Sequence, residues 1–134
     1  MTQVNAYLNF GGKCREAMHF YKDCFGGELS IQMVGESPLA GQMPTELNDQ
    51  VLHSSLMNNG LTIMATDMTR EPLVVGNTVY LCINCCTEEE INELFKNLST
   101  GGKVVDPLTD MFWGRFGTLI DKFGMKWMCN YVKA

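Results

Sequence analysis

The hydrophobic positions along this chain change their period several times, and the changes come twice in the same order. Residues 4–10, Val-Asn-Ala-Tyr-Leu-Asn-Phe, alternate with Ala6, Leu8 and Phe10 on one side, which predicts a strand. Gly11-Gly12 break it. From Lys13 to Phe25 the apolar residues Cys14, Ala17, Met18, Tyr21, Cys24 and Phe25 recur at helical spacing and draw one stripe. Gly26-Gly27 then end the helix, because glycine accepts the left-handed conformation there. A second strand is expected over residues 28–34. Residues 35–50 hold Pro38, Gly41 and Pro44 without periodicity and read as a long loop, a length usual for binding loops and lids. Residues 52–58 and 61–66 predict a hairpin, turned by Asn58-Asn59-Gly60.

After a connector over residues 68–76 the order repeats: a strand over 77–84, then a helix over 87–98. Thr87 with Glu90 forms a capping box, and Ile91, Leu94, Phe95 and Leu98 form the stripe. Gly101-Gly102 end that helix. A short strand over 103–105, a turn at Pro107, and strands over 112–120 and 125–132 complete the second copy. Tyr7-Leu8 before a helix ending in Gly26-Gly27 matches Tyr80-Leu81 before one ending in Gly101-Gly102. Gly60-Leu61-Thr62-Ile63-Met64 matches Gly124-Met125-Lys126-Trp127-Met128. These observations predict an α+β fold of two βαβββ repeats that together form a curved mixed sheet with a concave cavity. Repeat one spans about 4–67, the linker 68–76 and repeat two about 77–132, in a single domain over 1–134.

Composition narrows the function classes. The net charge is −5 and the basic residues are scattered singly, which argues against nucleic acid. No apolar run reaches the roughly 20 residues of a membrane span, and the N-terminus shows no signal peptide, so no membrane role and a cytoplasmic location are expected. The six cysteines (Cys14, Cys24, Cys82, Cys85, Cys86 and Cys129) then read as reduced thiols. Cys82-x-x-Cys85-Cys86 ends a strand and lacks a second ligand pair at zinc spacing, so apolar packing is its expected role.

The chain resembles the PhnB-like branch of the vicinal-oxygen-chelate superfamily, which includes glyoxalase I, bleomycin-resistance proteins and extradiol dioxygenases. Tyr7-Leu8-Asn9-Phe10, Cys14-Arg15-Glu16-Ala17, Phe20-Tyr21-Lys22, Phe25-Gly26-Gly27-Glu28-Leu29 and His53 carry the resemblance. So do Trp113-Gly114, Gly117, Asp121-Lys122-Phe123-Gly124 and Trp127, in family order over nearly the whole chain. Relatives in this branch often bear the name of a ubiquinone methyltransferase. No glycine-rich strand-to-helix loop of the kind a nucleotide-like cofactor needs is visible, and no cofactor is expected. The resemblance implies a divalent metal held by the first and last strands of each half, which places Asn5, Met64, Thr78 and Met128 at the ligand positions. None is a histidine or carboxylate, so no metal is expected. It also implies a homodimer.

Strand parity gathers the remaining candidates on the cavity side: Tyr7, His53, Met64, Thr78, Trp113, Arg115 and Met128. Methionine suits a site that adapts to several apolar shapes, though it serves equally in a core or a dimer contact. Trp113 would stack on a flat ligand with Arg115 at its anionic end, or else pack in the core. Arg115 is set toward the cavity because burying arginine beneath a helix is costly. His53 is a candidate acid or base by residue type but has no visible partner, so it reads also as a hydrogen-bonded structural histidine, and no catalytic residue is assigned. The opposite parity, with Ile63, Ala65, Val79, Leu81, Ile83, Trp127 and Cys129, is expected beneath the helices. The leading expectation is a metal-independent protein binding an unidentified small molecule. The alternatives are a metal-dependent glyoxalase-like lyase, isomerase or dioxygenase, and a structural homodimer with a vestigial cavity.

Overall fold

The computed structural model describes residues 1–134. The chain divides into two compact units, Met1–Leu73 and Val74–Ala134, each a βαβββ module with its own four-stranded mixed sheet. Module one contains β1 (Ala6–Asn9), α1 (Cys14–Phe25), β2 (Glu28–Met33), β3 (Val51–Asn58) and β4 (Leu61–Thr66), with strand order β1-β4-β3-β2. Module two contains β5 (Leu81–Cys85), α2 (Glu88–Ser99), β6 (Lys103–Met111), β7 (Gly114–Ile120) and β8 (Lys126–Val132), with order β5-β8-β7-β6. In each, the first strand lies parallel to the last and the other pairs are antiparallel.

Amphipathicity decides which side of each sheet is covered. Cys14, Ala17, Met18 and Tyr21 on α1 are fully buried, as are Val51, Leu56 and Ala65 on the strands below. Each Leu- or Met-sized side chain removed from water in this way contributes about 1.5–3 kcal/mol. In module two, Ile91, Phe95 and Leu98 of α2 meet the side of the sheet that carries Leu119, Trp127 and Cys129. The α2 cap forms as expected: the Glu90 N–H donates to Thr87 Oγ1 at 3.1 Å. The Glu90 carboxylate accepts the Cys86 N–H at 3.0 Å. Asn59 in the β3–β4 turn adopts φ 51°, the left-handed conformation that the hairpin requires.

Four local expectations change. The strand expected over 77–84 starts only at Leu81, because β8 begins at Lys126 and Leu81↔Trp127 is the first pair of the ladder. Thr78 therefore precedes the sheet, and Val79 is 72% exposed instead of lying under the helix. The short strand over 103–105 extends to Met111 and carries Pro107 within it. Proline is tolerated there because β6 is an edge strand whose register shifts between Asp106 and Thr109. The loop over 35–50 is built from three short 3₁₀ turns (Val34–Glu36, Ala40–Gln42 and Thr45–Leu47), tied at its base by Val34 N–H to Gln50 O and Gly35 N–H to Asn48 O. Finally, the repeat aligns two residues away from the match of Tyr7 with Tyr80. Tyr7 pairs with Met64 and Cys82 with Met128, so Tyr7 and Cys82 are the equivalent positions.

Two buried carboxylates organise the loops. Asp67 Oδ1 accepts the N–H groups of Gly12 (2.6 Å) and Cys14 (2.9 Å), and Oδ2 accepts that of Val51 (2.9 Å). Asp121 accepts the N–H groups of Phe123 (2.8 Å) and Met125 (3.0 Å) through Oδ1 and the Trp127 indole N–H (2.8 Å) through Oδ2. Replacing Asp67 with asparagine swaps one acceptor oxygen for a donor that faces other donors. This substitution is expected to cost about 2–4 kcal/mol, read from the urea midpoint; a change below about 0.5 kcal/mol would contradict the role given to Asp67.

All six cysteines are free thiols. Burial pushes the Cys14 thiol up to about 11 and those of Cys85 and Cys129 up to about 12. Cys82 and Cys86 are exposed, so the expected packing role of the CxxCC motif holds for Cys85 alone. In the unfolded chain a thiol ionises near pH 9.0, while the folded protein keeps these three protonated above it. The stability they contribute is fully present below that pH and is lost as pH rises toward the folded values. Denaturation midpoints should therefore fall between about pH 9 and about pH 11 in wild type and fall less in a Cys129→Ala variant. At about pH 8, a thiol reagent should label Cys82 and Cys86 quickly and the three buried thiols only as fast as the protein opens.

Candidate functional site

Each module covers one side of its sheet with a helix and leaves the other open. On the open face of module one, Tyr7, Met64, Ser55 and Ser30 form a transverse row through the ladder. The Tyr7 and His53 rings stack across the intervening strand β4, with centroids 6.2 Å apart and planes at 29°. Tyr7 is 58% exposed, His53 is exposed and Met64 is half-buried. His53 makes no side-chain hydrogen bond within the chain, so the structural alternative of a hydrogen-bonded histidine does not hold. The imidazole is exposed and has no carboxylate partner within the chain.

Module two repeats the row with different chemistry. Cys82, Met128, Thr118 and Asp106 run across its open face. Thr118 Oγ1 donates to Asp106 Oδ2 at 2.6 Å, a charge-assisted bond to a threonine that is 6% exposed. One residue row further along, Trp113 Nε1 donates to Asn130 Oδ1 at 2.8 Å and Asn130 Nδ2 donates to Asn84 Oδ1 at 3.3 Å. Trp113 lies in the β6–β7 turn, and this bond brings its indole to the Met128 side. There it meets Phe112 and Phe116 edge-on, with centroids at 4.8 and 6.3 Å.

The structure thus brings Tyr7, His53 and Met64 together on one open face, and Trp113 and Met128 on the other. Thr78 lies in neither, being exposed and ahead of β5. Arg115 is a correction. It pairs with Tyr131, and its neighbour Gly117 pairs with Cys129 and faces Phe95 of α2, so Arg115 is on the helix side of the sheet. The presumed cost of that placement is met by Asp110, whose Oδ1 accepts from Arg115 Nη1 at 2.7 Å. The Nε of Arg115 remains buried and unpaired. Asp106, Thr118 and Asn84 were not among the sequence candidates. Reading Pro107 as a turn hid Asp106, whereas alternation continued past the proline would have exposed it.

The facing pairs test the metal that the superfamily implies. The register sets Tyr7 opposite Met64 and Cys82 opposite Met128, not Asn5 and Thr78. A phenol, a thiol and two thioethers do not suit a hard divalent ion, which wants carboxylate, carbonyl or imidazole donors. Nor does any group of three His, Cys, Asp or Glu side chains converge. At the start of α1 the Gly12 and Cys14 amides are held by Asp67, and at the start of α2 the Glu90 amide is held by Thr87. No helix is long and apolar enough to cross a membrane.

Protein PA1353 from Pseudomonas aeruginosa is 32% identical, covers 100% of both chains and superposes with a TM-score of 0.89. A protein from Bacillus cereus described as a putative 3-demethylubiquinone-9 3-methyltransferase, PhnB protein, is 29% identical over 98% of this chain and 100% of its own, with a TM-score of 0.77. A glyoxalase/bleomycin resistance protein/dioxygenase family enzyme from Burkholderia phytofirmans shares the fold alone, at 14% identity over 97% and 96% of the two chains and a TM-score of 0.63. The glyoxalase/bleomycin-resistance fold is thus shared, and the model of the 3-demethylubiquinone-9 3-methyltransferase family, the PhnB-like family, matches residues 2–129, so the chain belongs to that family.

Proposed function

We propose that this protein binds a small, partly apolar molecule on the open sheet faces without a metal ion, and sequesters it. The observation that carries the reading is the paired substitution at the facing positions. Met64 beside Tyr7 and Met128 beside Cys82 put polarisable, adaptable sulfur where a metal enzyme needs hard donors. Aromatic surface from Tyr7, His53 and Trp113 flanks the two methionines and favours a flat or ring-bearing ligand. The loop over 35–50 would then serve as a cover for the bound molecule. The reading treats residues 1–134 as one functional domain, working as a cytoplasmic homodimer.

A panel of metabolites and antibiotics, screened by thermal shift, tests this. A ligand should raise the melting temperature with or without a chelator, and Met64→Lys and Met128→Lys should each weaken its binding by about tenfold or more. Absence of any shift across the panel would sink the proposal. Stoichiometric divalent metal in protein purified without a histidine tag would instead support the metal-dependent lyase, isomerase or dioxygenase alternative. His53 gives that enzymatic alternative its one structural foothold, because both of its nitrogens are free to move a proton.

The dimer is tested separately by light scattering at micromolar concentration. A mass of twice 15.0 kDa is expected, and a strictly monomeric species would remove the homodimer from the proposal.

A further inference from the structure

On the helix side of module one, α1 packs mainly over β3 and reaches edge strand β2 without fully covering it. Cys14, Ala17, Met18 and Tyr21 cover β3 and β4, whose helix-facing residues Leu56, Ile63 and Ala65 are 0–4% exposed. The helix-facing residues of edge strand β2 (Leu29, Ile31 and Met33) stay half-exposed. They form the floor of an open cleft of about 250 Å³, bordered by Arg15 and His19 of α1 and by Glu36. Arg15 and His19 are four residues apart, one turn along the exposed side of the helix, and neither has a hydrogen bond or ion pair within the chain.

We propose that this cleft is a second binding site, distinct from the open faces, for a small monocarboxylate with an apolar body. The apolar body lies on Leu29, Ile31 and Met33, and the carboxylate meets the guanidinium of Arg15, with the His19 imidazole beside it. A guanidinium presents paired N–H groups that match the two oxygens of a carboxylate. The volume admits about eight groups of roughly 30 Å³ each, the size of a six-carbon acid. Glu36 sets the limit on charge: its carboxylate opposes a dianion such as a phosphate ester and tolerates a monoanion. The site lies on the side of the sheet opposite Tyr7, His53 and Met64, so its occupancy does not depend on theirs.

Hexanoate is a suitable probe, with hexylamine and hexyl phosphate for comparison, followed by amide chemical shifts in the ¹⁵N-labelled protein. Hexanoate should move the amides of Leu29, Ile31 and Met33, and bind about tenfold or more tightly than either comparison compound. Arg15→Gln, an exposed substitution that leaves the core intact, should weaken hexanoate by about threefold to tenfold, and Ile31→Thr should also weaken it. The proposal is overturned if hexanoate moves none of these amides at up to about 10 mM, if hexylamine binds equally, or if Arg15→Gln changes nothing. Shifts confined to Tyr7, Met64 and Met128 would overturn it as well, while leaving the open-face reading standing.

Discussion

Asp67 is 6% exposed, and its partners are three backbone N–H groups from two different stretches of chain. A desolvated carboxylate without them would cost several kcal/mol, so the end of β4, the start of α1 and the start of β3 must come together for any of them to settle. The rest of module one follows from that point. Gly11 and Gly12 turn with φ of 57° and 120° so that the Gly12 and Cys14 amides reach Oδ1. Val51, held by Oδ2, fixes where β3 begins, and with it the register that puts Tyr7 opposite Met64. The helix dipole adds to the same contact, since its positive end lies over the carboxylate.

Module two repeats the fold but not this device. Its buried carboxylate, Asp121, sits in the β7–β8 turn and holds the indole of Trp127 and two turn amides, while the start of α2 is capped by residues of the helix itself. The duplicated pattern of strands and helices therefore rests on two different polar solutions. Backbone periodicity is shared between the modules, whereas side-chain hydrogen bonding is particular to each.

That difference also explains what could be read from the sequence. Spacing of three and four residues located both helices to within a residue or two, and alternation found β1 to β4, because these patterns arise from burying one side of an element. Thr78 and Arg115 were misplaced for different reasons. Thr78 depends on where the β5–β8 ladder starts, which leaves no hydrophobic signature, and Arg115 on Asp110, a partner from the neighbouring strand that offsets the cost of its placement. The misaligned Tyr7 and Tyr80 have the same origin as Thr78, since a slip of two residues preserves parity and leaves the pattern looking intact. His53 and Met64 were legible as neighbours by parity; the Trp113–Asn130 bond was not, since it joins a turn residue to a strand.

The chain of hydrogen bonds from Trp113 through Asn130 to Asn84 gives the open face of module two a direction. With Asn130 Oδ1 taken by the indole and Asn84 Oδ1 taken by Asn130, both acceptor oxygens are engaged, and the amide group of Asn84 is left pointing outward as a donor. The Cys82 thiol donates to the same Asn84 Oδ1 at 3.9 Å, and partial burial holds back its ionisation. On the proposed reading, a molecule resting beside Asn84 meets an N–H donor, whereas the acceptor of this face lies at the Asp106 carboxylate.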